Sequence, residues 1–289
     1  MLAIELNRAD LVNIRFAISP LTELWQSVRA LQNPDVRAMH APWLAQAHRT
    51  NAELDLAVLT ALQPSTGYSP DFIAPPPDTP SPDFDAELSR VLATPPELVR
   101  LEISQVFRGR EVPAALRPFL EQPDGALHAL GELLRAYWMC LIAPHWERIR
   151  AMLEGDVHYR AQQNASGGAR AVFADIDASV RYDESTLLLD KPWSGAICPD
   201  GRGLLFMPSV FVWPHLAVIE EDPWQPTLIY AARGSGLLWE PSGSAPDALA
   251  ALIGSRRAWV LAALDVPRST ADLAGELGVS PGSISQHLT

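Results

Sequence analysis

Hydrophobic positions along the chain fall into three textures. The first six residues alternate, with Leu2, Ile4 and Leu6 on one side and Ala3 and Glu5 on the other. That period of two predicts a short strand. Helical spacing follows. Leu21, Leu24, Trp25, Val28 and Leu31 recur at three and four, and Pro34 ends the run. Weaker helical patterns cover 36–47 and 52–62. Helices resume at Asp83, a suitable N-cap with Glu87 in the first turn. Leu88, Val91, Leu92, Leu98, Leu101, Ile103 and Phe107 then supply the apolar faces. The longest run begins near Asp124 and carries Leu127, Leu130, Leu134, Trp138, Leu141, Ile142, Ile149 and Leu153 at helical spacing. Proline inside a helix removes a donor, so a kink is expected at Pro144. The segment from Asn164 to Gly168 is expected to break the pattern.

Beyond it the texture becomes β. Leu187 to Leu189, Leu204 to Phe206, Phe211 with Val212, and Leu228 to Tyr230 are short apolar runs separated by Pro and Gly turns such as 199–203. A small antiparallel sheet is the expected outcome. Between the early helices, residues 63–82 hold seven prolines. Helix and central strand are both excluded there. The segment reads as an extended connector packed on the body by Tyr68, Phe72 and Ile73, with docking into an aromatic groove as the alternative. The expected fold is α+β. A mostly helical body with a small antiparallel sheet spans 1–240, and a linker runs from Glu240 to Pro246. A C-terminal helix-turn-helix domain follows at 245–289.

Charge narrows the function. Lys plus Arg number 22 against 34 Asp plus Glu, a net charge of −12. A protein coated in basic surface is excluded, whereas a small nucleic-acid-binding module on an acidic body is not. Cys140 and Cys198 cannot build a disulfide scaffold and are expected as free thiols in a reducing cytosol. The first residues lack the features of a signal peptide. The longest apolar run, Ala136 to Ala143, is far short of the roughly 20 residues that span a bilayer. A cytoplasmic protein without membrane contact is expected. The histidines are scattered without metal-ligand spacing, and neither a nucleophile elbow nor a phosphate loop is present. No metal, cofactor or catalytic residue is therefore expected, and the chain does not read as an enzyme.

The last 45 residues hold the most specific pattern, Thr270-Ala-Asp-Leu-Ala-Gly-Glu-Leu-Gly-Val-Ser-Pro-Gly-Ser-Ile-Ser-Gln-His-Leu288. Ser269 or Thr270 can cap a helix whose inner face is Leu273, Ala274 and Leu277. Gly278 is where that helix must turn, because a left-handed backbone is easy only for glycine. Val279 plugs the corner. Ser280 caps a second helix, with Pro281 at its first position, and Ile284 and Leu288 point inward. Two short helices with a glycine-cornered turn make a helix-turn-helix. Gly282, Ser283, Ser285, Gln286 and Thr289 remain outside, short groups able to meet bases or phosphates.

This motif resembles the ArsR/SmtB-type winged-helix transcriptional regulators. Arg15-Phe-Ala-Ile-Ser-Pro-Leu21 and Tyr68-Ser-Pro-Asp-Phe-Ile-Ala-Pro-Pro-Pro77 extend the likeness to large members of that class with a long N-terminal domain. The resemblance implies a recognition helix starting at Ser280. It also implies DNA contacts from Ser280, Pro281, Gly282, Ser283, Ser285, Gln286 and Thr289, a homodimer on a palindromic operator, and repression by occlusion. The helix that holds thiolates in the metal sensors has no Cys here, so soft-metal sensing is not expected. The sequence stops at Thr289, inside the expected recognition helix. The wing is expected beyond it, together with the cations that segment 245–289, at a net −1, does not supply. The body is expected to sense a small organic effector through aromatic groups, with Trp138, Trp146, Trp213 and Tyr230 as candidates. The alternative is an adaptor whose C-terminal helices bind a partner protein.

Overall fold

A computed structural model describes residues 1–36, 38–50, 54–64, 67–183, 185–239, 247–264 and 268–288. The chain divides into two compact units, Met1–Ser235 and Gly236–Thr289. The expected linker, 240–246, and the candidate DNA contact Thr289 lie outside the described residues.

In the first unit the alternation at the start forms β1 (Leu2–Glu5), with Leu2 and Ile4 fully buried. It lies within a four-stranded sheet with β3 (Val180–Asp183), β4 (Thr186–Leu189) and β5 (Gly195–Ile197), in the order β3-β4-β1-β5. β1 runs antiparallel to β4, Leu2 facing Leu189, and parallel to β5, Leu2 facing Gly195. A second sheet takes the order β2-β6-β8-β7, from β2 (Arg15–Phe16), β6 (Leu205–Ser209), β7 (Ala217–Ile219) and β8 (Thr227–Ala231). Its β2–β6 and β6–β8 pairs are parallel, and β7–β8 is antiparallel. The single antiparallel sheet expected from sequence is thus corrected to two mixed sheets. Turn signals report hairpins, whereas parallel pairing across long connections leaves no local trace. One core cluster joins the sheets, including Leu2, Ile4, Phe173, Leu189, Phe206 and Tyr230. The Phe206 ring lies 5.6 Å from Phe16 and 5.7 Å from Phe173.

The helical part begins with α1 (Arg8–Val12) and α2 (Pro20–Gln32). Ser19 caps α2 by accepting from the Thr22 amide at 2.9 Å, and Pro20 occupies the first position, where no donor is missed. Further helices are α3 (Ala41–Thr50), α4 (Ala57–Leu62), α5 (Phe84–Leu92), α6 (Pro96–Val106) and α7 (Arg117–Glu121). The expected single kinked helix is instead α8 (Pro123–Tyr137) and α9 (Trp146–Phe173), separated by a π turn at Trp138–Ile142 and a tight turn at Ala143–His145. The cause is Pro144. Its missing N–H would have served the Cys140 carbonyl, which accepts from Gln46 at 3.3 Å instead. Trp43 Nε1 donates to the neighbouring Leu141 carbonyl at 2.9 Å. The expected break at 164–168 is a kink at Gly168, φ 66°, after which the helix resumes to Phe173. The described part of the proline-rich segment is a packed connector, with Phe72 and Ile73 fully buried, and the expected exclusion of helix is corrected by a single 3-10 turn at Asp71–Ile73.

Buried carboxylates fasten these pieces together. Asp10 accepts from the amides of Gly201 at 2.8 Å, Gly203 at 3.1 Å and Asn7 at 2.9 Å. Glu23, on α2, accepts from the Val210 amide at 3.1 Å. Glu102, on α6, accepts from the Phe72 amide at 2.9 Å and from Trp224 Nε1 at 2.8 Å. Asp156, on α9, accepts from Tyr230 Oη at 2.6 Å and the Arg233 amide at 3.1 Å. Apart from the local Asn7–Asp10 cap, each bond joins a helix to a distant part of the chain and satisfies a donor that burial would otherwise strand.

The second unit holds α10 (Asp247–Ile253), α11 (Ser255–Ala263), α12 (Thr270–Leu277) and α13 (Pro281–Leu288). Its core is small: Val260, Leu273, Ala274 and Ile284, flanked by Trp259, Ala263, Leu277 and Val279. Among the described residues no helix of either unit is long and apolar enough to cross a membrane.

Candidate functional site

Local bonds shape the α12–α13 pair. Ser269 Oγ accepts from the Asp272 amide at 3.2 Å, and Asp272 returns by accepting from the Ser269 amide at 3.1 Å, a complete capping box. At the far end Gly278 takes φ 64°, ψ 34°. The Val279 amide reaches back to the Ala274 carbonyl at 3.0 Å and the Gly278 amide to Gly275 at 3.4 Å. This paired closure requires a left-handed residue. Ser280 Oγ then accepts from the Ser283 amide at 3.3 Å and starts α13. Ile284 is fully buried against Leu273 and Ala274. Of the candidate DNA contacts, Ser280, Pro281, Gly282, Ser285 and Gln286 are exposed and Ser283 is half-buried. Leu288, expected to point inward with Ile284, is instead exposed and lies outside the small core of this unit.

None of the four aromatic effector candidates lines the cavity described below. Trp138 stacks on Phe84 at 4.6 Å and meets Trp146 edge-on at 5.4 Å. Tyr230 is buried and engaged by Asp156. Trp213 is exposed.

A cavity of about 680 Å³ opens elsewhere in the first unit. Its walls come from α2 (Trp25, Gln26, Arg29), the proline-rich connector (Tyr68, Asp71) and the end of α6 (Gln105). They are completed by the segment after β4 (Lys191, Trp193) and the β7 region (Leu216 to Glu221). Arg29 donates through Nη2 to Gln63 Oε1 at 3.3 Å, and its Nε has no partner. Lys191 Nζ donates to the Leu216 carbonyl and lies 5.6 Å from the Trp193 ring centre. Burial pulls the Arg29 guanidinium below its ordinary range. Lys191 is likewise lowered, first by burial and also by Arg29, with Asp177 and Glu220 opposing. On the connector wall Asp71 accepts from Tyr68 Oη at 3.3 Å. Burial, reinforced by Glu102, Glu221 and Glu220, raises the Asp71 carboxyl well above its usual range. Oε1 of Gln26, a residue only 3% exposed, has no partner, nor does Oε1 of Gln105.

Two signals in the sequence point to this cavity. Lys191 is the only lysine in the chain. Arg29 lies one turn beyond Trp25 and beside Val28, so it intrudes on the apolar stripe of α2. Neither signal reveals that α2, the connector and the β7 region converge. Both cysteines are exposed and free. Among the described residues no group of three or more His, Cys, Asp or Glu side chains is placed to hold a metal ion.

Residues 95–236 match a family of unknown function, DUF5937, a stretch that runs from the start of α6 to the end of the first unit. No curated protein and no solved structure matches the chain.

Proposed function

We propose that this protein is a DNA-binding transcriptional regulator of the ArsR/SmtB type, acting as a repressor. The observation that carries the reading is the glycine-cornered turn between α12 and α13, with Ile284 anchored inward and Ser285 and Gln286 exposed on the outer side. A glutamine there can pair bidentately with adenine, and the serines can reach bases or phosphates. On this reading Ser280, Pro281, Gly282, Ser283, Ser285, Gln286 and Thr289 meet the major groove. A homodimer sets two such helices one turn of DNA apart, roughly 34 Å, on a palindromic operator. A small organic effector in the body relieves repression by favouring one spacing of those helices over another.

A second reading is an adaptor that binds a partner protein. It is favoured by the absence of Lys and Arg from α13 and by the exposure of Leu252 (81%) on α10 and of Leu261 on α11. Selection from a random duplex library at low ionic strength separates the two. The regulator reading expects an enriched palindrome containing adenine. It also expects the S285A/Q286A double variant to lose about 1–3 kcal/mol of discrimination at that base. Enrichment untouched by the double variant rejects it.

A further inference from the structure

We propose that the body cavity binds a small zwitterion of the amino-acid or dipeptide class, its carboxylate held by Arg29 and Lys191, its ammonium by Asp71, and its side chain by the walls of Trp25, Tyr68 and Trp193. The inference does not rest on the reading of α12 and α13.

The cavity has the size of a small-molecule site, for which about 300–1,000 Å³ is typical. Its lining carries both signs of charge, with Arg29 and Lys191 as half-buried cations and Asp71 and Glu220 among the acids. Neither cation forms an ion pair among the described residues. Half-buried cations on one cavity wall without a close counter-ion are costly. The guanidinium fork and the ammonium together suit one carboxylate. The acids have the converse problem. Asp71 is half-buried, its carboxyl accepts from Tyr68, and it feels Glu102, Glu221 and Glu220, with no cation paired to it among the described residues. A ligand ammonium there offsets the mutual repulsion of the acids. A purely anionic ligand satisfies the cations and is repelled by the acids. A purely cationic ligand does the reverse.

Two further observations point to an occupant. Gln26 is almost wholly buried, lines the cavity, and presents an acceptor without a donor. Arg29 Nε is a donor without an acceptor. Such groups are rare in a folded protein unless something else completes them. The aromatic rings supply apolar area for a side chain, and their placement near the charges allows cation–π contact with an ammonium.

Calorimetry on the full chain tests this with three matched probes. Tryptophan carries both charges, indole-3-propionate lacks the ammonium, and tryptamine lacks the carboxylate. A second set uses phenylalanyl-leucine, its N-acetyl form and its amide. In at least one set the zwitterion is expected to bind at least about tenfold tighter than either partner, as expected when a charge-assisted bond is removed. K191Q and R29Q should each weaken the zwitterion and the acid, and leave the amine unchanged. D71N should weaken the zwitterion and the amine, and leave the acid unchanged. The single lysine gives an independent readout: with [ε-13C]lysine, Lys191 yields one signal whose titration moves to higher pH when the carboxylate binds. R29Q also removes the bond to Gln63, so K191Q serves where R29Q fails to fold. Equal binding of a singly charged analogue overturns the proposal. So does indifference of the zwitterion to K191Q, or no binding of either zwitterion at millimolar concentration.

Discussion

Two glycines take a positive φ for different reasons, and they mark the difference between the two units. Gly278, φ 64°, closes α12; a Cβ there would meet nothing within 4 Å. Gly203, φ 75°, lies under the Asn13 backbone, and a Cβ there would collide with the Asn13 carbonyl. The C-terminal helices are organised by bonds between residues three to five apart. The first unit is organised by buried carboxylates that reach across the chain, such as Asp10 to Gly203, 193 positions apart. One unit is written locally and the other is not.

The contrast is sharpest at these glycines. G203A combines backbone strain with overpacking and is expected to cost about 4 kcal/mol in urea unfolding. G278A carries strain alone, about 1 kcal/mol. Equal costs would erase the distinction. A smaller effect is expected from the carboxylates. Burial pushes Glu23 up to about 8, from 4.5. The native state therefore keeps a proton that the unfolded chain releases, and this group's contribution falls as pH rises from about 4.5 to about 8. E23Q mimics the protonated form and removes that loss. Relative to the parent, its stability should climb with pH by up to about 1.4 kcal/mol per unit between pH 5 and 8, or on the order of 3 kcal/mol in all. A flat difference means that Glu23 is ionised in the fold. The smallest of the three is I284A. In so shallow a core it is expected to cost about 2 kcal/mol. Hydrogen exchange should then rise in 270–288 while the amides of β6 and β8 stay protected. Loss of protection in both units at once would contradict the division.

What the sequence reveals follows the same line. Ser269, Gly278, Ser280 and the spacing of Leu273, Ala274 and Ile284 are legible because caps and helix faces are set within one or two turns. β1 is legible from its alternation. Its two neighbours are not, because β4 and β5 lie far along the chain and one of them pairs in parallel. Pro144 is visible as a disruption, but whether it bends or divides a helix depends on Gln46 and Trp43, which arrive from another helix to take the freed carbonyls. The cavity is the least legible feature. The aromatics that suggested an effector site do not line it, whereas Trp25, Tyr68 and Trp193 do, and of its charged groups only Lys191, the single lysine, stands out in composition. Their meaning depends on the fold bringing Arg29 and Lys191 to one cavity.

The reach of Asp10 also bears on how the molecule is made. Its Oδ1 waits for the Gly201 amide, 191 positions later in the chain. At about 5–20 residues per second, a ribosome needs on the order of 10–40 s to deliver that partner. Over the same interval Leu2 and Ile4 travel without the strands that cover them, β4 and β5. Synthesis of this chain thus sets a long window for chaperone capture at β1, and slowing translation should widen it.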